Sequence, residues 1–300
     1  MKAPSKSKGI LALVASAFGF ALMALFVRLC DDCGAPVSSF QKSFFRNAVA
    51  LVVAAAAFAR ARGAGGAGVR LPALGLLLLR ASLGTAGIFA NFYALSHIPI
   101  AEGQTLNKTA PFFTVLFAWL LLGETVTRRQ VLPLVLAFAG VVLVAKPGFA
   151  GVEAFPLAMG LLGGVCAGGA YACVRALRVH DVQPAFIVLF FSAFSCLASV
   201  PFMLAGFDPM TGRQVLILLG AGAGAAIGQF GITLAYGYAA PREIAVYDYT
   251  NILFTAAFGY FFFAQVPDLL SVVGFVAILA AACRLHGRDA APRADLRVMG

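Results

Sequence analysis

The sequence predicts an all-α integral membrane protein of ten transmembrane helices, arranged as two inverted five-helix repeats. Three observations predict it. The chain is 61% hydrophobic and 11% charged, with a mean hydropathy of +0.93, more apolar surface than a soluble core of 300 residues can hide. Its apolar residues fall in ten runs of the length that crosses a hydrocarbon layer of about 30 Å. The stretch from Ala101 to Thr114 also returns without a gap, about 141 residues later, as Arg242 to Thr255.

The first run, about 9–29, follows the basic start Met1-Lys-Ala-Pro-Ser-Lys-Ser-Lys8, which imitates the head of a signal peptide. The run is longer than a cleavable apolar region, so it is expected to be the first span. Gly, Pro and charged residues then divide the chain into further spans at about 37–59, 71–95, 100–122, 129–146, 154–177, 184–205, 213–238, 242–264 and 268–285. Residues 1–148 hold the first repeat, 149–288 the second, and 289–300 a basic tail. The repeat rests on paired positions: Gly87 with Gly228, Phe89 with Phe230, Glu102 with Glu243, Phe113 and Thr114 with Phe254 and Thr255, and Val131 with Val272. Five spans per half is odd, so the second half enters the membrane inverted, the architecture of secondary transporters.

Loop charge sets the orientation. With the N-terminus inside, the inner side receives Lys2, Lys6, Lys8, Arg60, Arg62, Arg70, Arg128, Arg129, Arg175, Arg178, Arg242, Arg284, Arg288, Arg293 and Arg297. The outer side keeps Arg28, Lys146 and Arg213. This bias places both termini in the cytoplasm and the protein, multi-pass, in a cell inner membrane. The net charge of +10 therefore answers to the lipid bilayer, with no nucleic-acid partner expected.

The candidate substrate site is read from polar residues inside apolar spans, where a charge costs a few kcal/mol and is expected to face a ligand, a partner or water. Lys108 lies in span 4 and Asp248 in span 9, at related depths from opposite faces; separate satisfaction by carbonyls or snorkelling is the alternative. Asn107, Pro111 and Thr114 share a face of span 4, and Asp248, Asn251 and Thr255 share the matching face of span 9. Span 8 adds Gln229, Thr233 and Tyr236, a stripe suited either to a ligand or to tying helices together. Span 3 offers Asn91, Tyr93 and an interfacial His97. Arg46 sits deep in span 2, as a cavity residue or an internal ion pair. Glu124 is expected to pair in its loop with Arg128 or Arg129. The lines Gly160-xxx-Gly164-xxx-Gly168 and Gly220-x-Gly222-x-Gly224-xxx-Gly228 predict close helix approach. Cys30 and Cys33 are candidates for a disulfide or metal contact, though two cysteines without histidines make a poor metal site.

His-Glu-x-x-His, Gly-x-Ser-x-Gly and phosphate-cradling loops are absent, so no catalytic residues, metal or cofactor are expected, nor ATP hydrolysis on this chain.

Leu106-Asn-Lys-Thr-Ala-Pro-Phe-Phe, Leu122-Gly-Glu124 and Ile244-Ala-Val-Tyr-Asp-Tyr-Thr-Asn-Ile-Leu-Phe together resemble the drug/metabolite transporter superfamily, EamA type. The resemblance covers nearly the whole chain and implies a central cavity formed mainly by spans 1, 3, 4, 6, 8 and 9. It departs at Ala264-Gln265, where the second half often carries Gly-Glu. The expected function is secondary active transport of a small polar metabolite, an amino acid or related carboxylate or amine, in the efflux direction and by proton coupling or exchange. The substrate would meet Lys108, Asp248, Asn107, Asn91, Gln229, Tyr236, Arg46 and Asn251. Protons and a homodimer complete the expected partners. A membrane scaffold with structurally buried charges is the alternative.

Overall fold

The computed structural model describes residues 5–35, 37–63, 72–98, 105–145, 153–264 and 266–287. Most of these residues are helical, and none of them is in a strand. The helices are α1 (Lys6–Asp31), α2 (Ser39–Gly63), α3 (Pro72–His97), α4 (Ala110–Leu122), α5 (Arg128–Ala145), α6 (Ala154–Val179), α7 (Pro184–Ala205), α8 (Gly212–Tyr238), a single turn α9 (Pro241–Ile244), α10 (Thr250–Phe263) and α11 (Leu269–Gly287). Among the described residues, seven segments suffice by length and composition to cross a membrane, and Leu269–Arg284 is a shorter apolar helix. The basic tail expected at 289–300 lies outside the described residues, as does Glu102 of the paired glutamates.

Side-chain size is sorted in the sense that lipid requires. Leu11, Leu197, Phe261 and Leu269 each expose over 70% of their surface, whereas Ala17, Ala54, Ala81 and Ala172 are fully buried. Large apolar groups lose nothing by facing hydrocarbon, and small ones inside let backbones approach and gain dispersion contacts. The glycine lines are where this happens. A Cβ at Gly224 would lie 2.8 Å from the Gly19 carbonyl oxygen, bringing α8 against α1, and one at Gly163 3.2 Å from Asn91, bringing α6 against α3. At α5 and α11 the approach is reciprocal: a Cβ on Gly140 or on Gly274 would lie 2.6 Å from the other's carbonyl oxygen.

Two expected spans differ from simple helices. Span 9 runs as α9, then a 3-10 segment at Ala245–Tyr249, then α10. Span 4 is interrupted by a turn at Lys108 and Thr109, immediately before α4. Pro111 at the start of α4 lacks the N–H that a continuous helix would use, which favours the interruption. The two breaks match at the offset of 141. Thr109 Oγ1 donates to the Leu106 carbonyl at 2.6 Å, and Thr250 Oγ1 to the Tyr247 carbonyl at 2.7 Å. Thr114 Oγ1 donates to Ala110 O at 2.9 Å, and Thr255 Oγ1 to Asn251 O at 2.8 Å. Both helices end in the left-handed region, at Gly123 (φ 63°) and Ala264 (φ 51°).

Helix pairing follows the same exchange. The principal contacts are α1 with α8, α3 with α6, α2 with α7 and α5 with α11, while α4 leans on α6 and α10 on α1. Swapping the halves converts each of these contacts into itself or into another of the set.

The close approaches set the cost of side chains. Gly140→Val is expected to lower stability by about 1 to 3 kcal/mol, because backbone oxygen cannot move aside. Gly75→Ala, where nothing lies within 4 Å, is expected to leave it unchanged. Thermal unfolding in detergent, compared between the two variants, checks this.

Candidate functional site

The site begins with the backbone. A helix broken inside a membrane leaves carbonyls and amides that protein must satisfy, and such breaks are tolerated where they line a cavity. The hydroxyls of Thr109 and Thr250 each take up one carbonyl of their own break. α6 supplies the bed for the first break: a Cβ at Gly164 would lie 2.8 Å from Leu106 O, and one at Gly168 2.8 Å from Ala110 O. The second break rests on α1, where Asn251 Nδ2 donates to Ala17 O at 2.9 Å.

Lys108 and Asp248 stand on these two breaks and face each other, Nζ to Oδ2 at 3.9 Å. That is ion-pair range but beyond a hydrogen bond. Their side chains keep 11% and 14% exposure, so neither is sealed into the packing. Tyr236 from α8 and Tyr171 from α6 flank the pair with ring centroids 6.2 Å apart, and the Tyr236 hydroxyl faces Thr114. Tyr249, beside Asp248 in the chain, is buried with its hydroxyl unpartnered.

Tyr171 lies within electrostatic reach of Asp248 and also of Arg46 and Arg80. Arg80, on α3, is 2% exposed. Its Nη2 donates to Gln229 Oε1 at 2.9 Å, and its Cζ lies 3.8 Å from the Phe191 ring centroid. Sequence reading missed it, although the signal was present: an arginine within a run of leucines, nine residues into the helix. Arg46, on α2, lies 6.0 Å from the Phe20 ring centroid and has no carboxylate partner among the described residues.

The remaining candidates divide. Gln229 reaches the polar core through Arg80, whereas Thr233 returns its hydroxyl to Gln229 O at 2.7 Å, so the α8 stripe both faces the site and closes its own helix. Asn251 ties α10 to α1. Asn91 sits at the α3–α6 contact with a buried, unpartnered Oδ1. Asn107 is half-buried beside Lys108. His97 is exposed, stacked on Tyr93 with ring centroids 4.1 Å apart.

One expectation changes, and one open alternative closes. Glu124 pairs with Arg175 of α6, Oε1 to Nε at 3.0 Å, and not with Arg128 or Arg129. Arg175 also donates to Tyr236 O at 3.1 Å. The αL turn at Gly123 directs Glu124 back toward the bundle, away from the loop arginines. Cys30 and Cys33 are both free thiols, Cys30 buried, and no three metal-ligating side chains gather among the described residues.

A family model described as "EamA-like transporter family" matches residues 7–146. The pseudopaline exporter CntI of Pseudomonas aeruginosa is 32% identical over 282 residues, covering 92% of this chain and 95% of that one. The chain belongs to the EamA-like transporter family. A riboflavin transporter of Brucella anthropi is 27% identical over 82% of this chain and 87% of its own. The fold agrees with a solved crystal structure at a TM-score of 0.71 and 21% identity, covering 91% of this chain and 98% of that one. As an EamA-like protein the chain is a multi-pass membrane transporter of a small molecule, not an enzyme.

The pairing of Lys108 with Asp248 is testable apart from transport. Either Lys108→Ala or Asp248→Ala strands a partly buried charge and is expected to lower stability. The double variant is expected to recover about 1 kcal/mol or more relative to the sum of the singles. A double-mutant cycle on thermal midpoints measures that coupling.

Proposed function

We propose that this EamA-like chain is a secondary active transporter that exports a small polar metabolite, an amino acid or a related molecule bearing carboxylate and amine. The observation that carries the reading is the Lys108–Asp248 pair, set at 3.9 Å on two facing helix breaks and still accessible. A contact of that length gives up little when a ligand enters. A carboxylate at Lys108 and an amine at Asp248 replace one ion pair with two, each with room to shorten to hydrogen-bond distance. Protonation of Asp248 removes its share and gives coupling a physical basis; exchange uses the same site without it.

Alternating access belongs to the same reading. Residues 1–148 and 149–288 form two repeats of five spans each, inverted in the membrane, with both termini in the cytoplasm. The matched threonine bonds, the matched left-handed helix ends and the exchange-symmetric pairing of helices support it. The direction is supported by the word exporter in the name of the Pseudomonas aeruginosa relative, and the inner-membrane assignment by the charge of the loops.

Proteoliposomes given labelled amino acids and related carboxylates, with and without a pH gradient, test the proposal. Flux is expected, and Asp248→Asn is expected to cut it at least about tenfold, the effect of losing roughly 1.4 kcal/mol of binding. Gradient-driven flux that needs Asp248 assigns the coupled proton to this residue, and flux indifferent to the gradient assigns exchange. Normal flux in both Lys108→Ala and Asp248→Asn removes the site from the mechanism.

A further inference from the structure

The polar core is out of charge balance. Arg46, Arg80 and Lys108 are three cations set well inside helices or spans, and among the described residues Asp248 is the only carboxylate placed away from helix ends to meet them. Arg80 has neutral partners, Gln229 and the Phe191 ring, and its Nε is buried without an acceptor. Its position is built: a Cβ at Gly84, one turn on, would strike Arg80 Nη1 and lie 2.7 Å from Phe191, so glycine there makes room for the guanidinium. Arg46 also buries an Nε without an acceptor, yet the side chain keeps part of its surface open. The two arginines lie within electrostatic reach of each other and of Tyr171, which also senses Asp248.

Two unneutralised guanidinium groups in a membrane interior repel each other and give up hydration that neutral partners do not fully replace. Neutral hydrogen bonds and a ring face soften that cost but leave the charge. A ligand that brings negative charge removes it, and such a ligand is held most tightly at the place where the protein is least balanced.

Taking the transporter reading above as given, we propose that the substrate is an amino polycarboxylate. Its amine faces Asp248, one carboxylate meets Lys108, and at least one more is held by Arg46 and Arg80. Planar guanidinium groups match carboxylates in paired hydrogen bonds, and the buried, unpartnered Nε of each arginine is a donor left for such an acceptor.

A ladder of compounds built on one amine tests this. Glycine, iminodiacetate and nitrilotriacetate carry one, two and three carboxylates. Each is titrated against the full-length protein in nanodiscs, in metal-stripped potassium buffer at neutral pH, with the thermal midpoint as readout. Affinity is expected to rise along the series, with nitrilotriacetate at least about tenfold tighter than glycine. Arg46→Gln, whose guanidinium makes no hydrogen bond to the described residues, is expected to lose most of that preference, nitrilotriacetate losing at least about threefold more affinity than glycine. Arg80→Lys is expected to keep part of it.

Equal affinities along the ladder, no binding of any of the three, or an unchanged preference in Arg46→Gln overturns the proposal. Inorganic phosphate supplies charge without an amine. Phosphate binding as tight as that of nitrilotriacetate, and indifferent to Asp248→Asn, marks a plain anion or lipid-phosphate site and also overturns it. Flux of the same compounds in proteoliposomes is read separately. A steep binding ladder without flux retires the proposed export of such molecules and leaves them as ligands of the site, and flux with a flat ladder retires this inference alone.

Discussion

Hydrocarbon offers no partner to a backbone carbonyl or amide, so every irregular turn inside a membrane must be satisfied by protein or by water it encloses. The two breaks at Lys108–Thr109 and Ala245–Tyr249 are the places where this chain meets that constraint. Most other features follow from them. Threonines close the local carbonyls, glycines of α6 bring a flat surface against one break, and α1 anchors the helix that follows the other through Asn251. A lysine and an aspartate then occupy ground that no continuous apolar helix would make available.

The small-residue packing is the structural counterpart of that demand. Backbone-to-backbone contact at Gly19–Gly224 and Gly140–Gly274 fixes helix positions without large interlocking side chains. Surfaces of this kind resist insertion of a methyl group, yet they lack the knobs that would prevent one helix from sliding along another. The large side chains that stabilise a soluble core are here turned outward, to lipid.

Much of this was legible in the sequence, because the signals are of the strong sort. Span boundaries were set by charged and Pro/Gly residues flanking long apolar runs, and the helices begin and end within a few residues of them. Lys108 and Asp248 stood out as charges without company at related depths, but separate satisfaction also fitted the sequence; their contact at 3.9 Å is visible only in the structure. What was not legible depended on direction. The partner of Glu124 is chosen by a left-handed residue at Gly123 that turns the chain, and charge spacing along the sequence pointed to the wrong arginines. The breaks themselves were only hinted at by Pro111, and span 9 has no proline at the matching place. Arg80 was detectable as a charge inside a run of leucines, but its partner was not: nothing nearby in sequence announces Gln229, which is 149 residues away.

The contact between Glu124 and Arg175 reaches further than its own two side chains. Two halves related by inversion would, if identical, hold the protein open to either side at equal energy. Here one end carries an ion pair at 3.0 Å, with a second bond from Arg175 to the last turn of α8, while position 265, the counterpart of Glu124, is glutamine and has no charge to offer. In the proposed reading of two inverted halves, that one-sided contact favours one face of the carrier over the other. If the carrier alternates between two faces as proposed, each ~1.4 kcal/mol held in such a one-sided contact shifts the resting population tenfold toward the state that keeps it, and a bound substrate then has to repay that difference before it crosses.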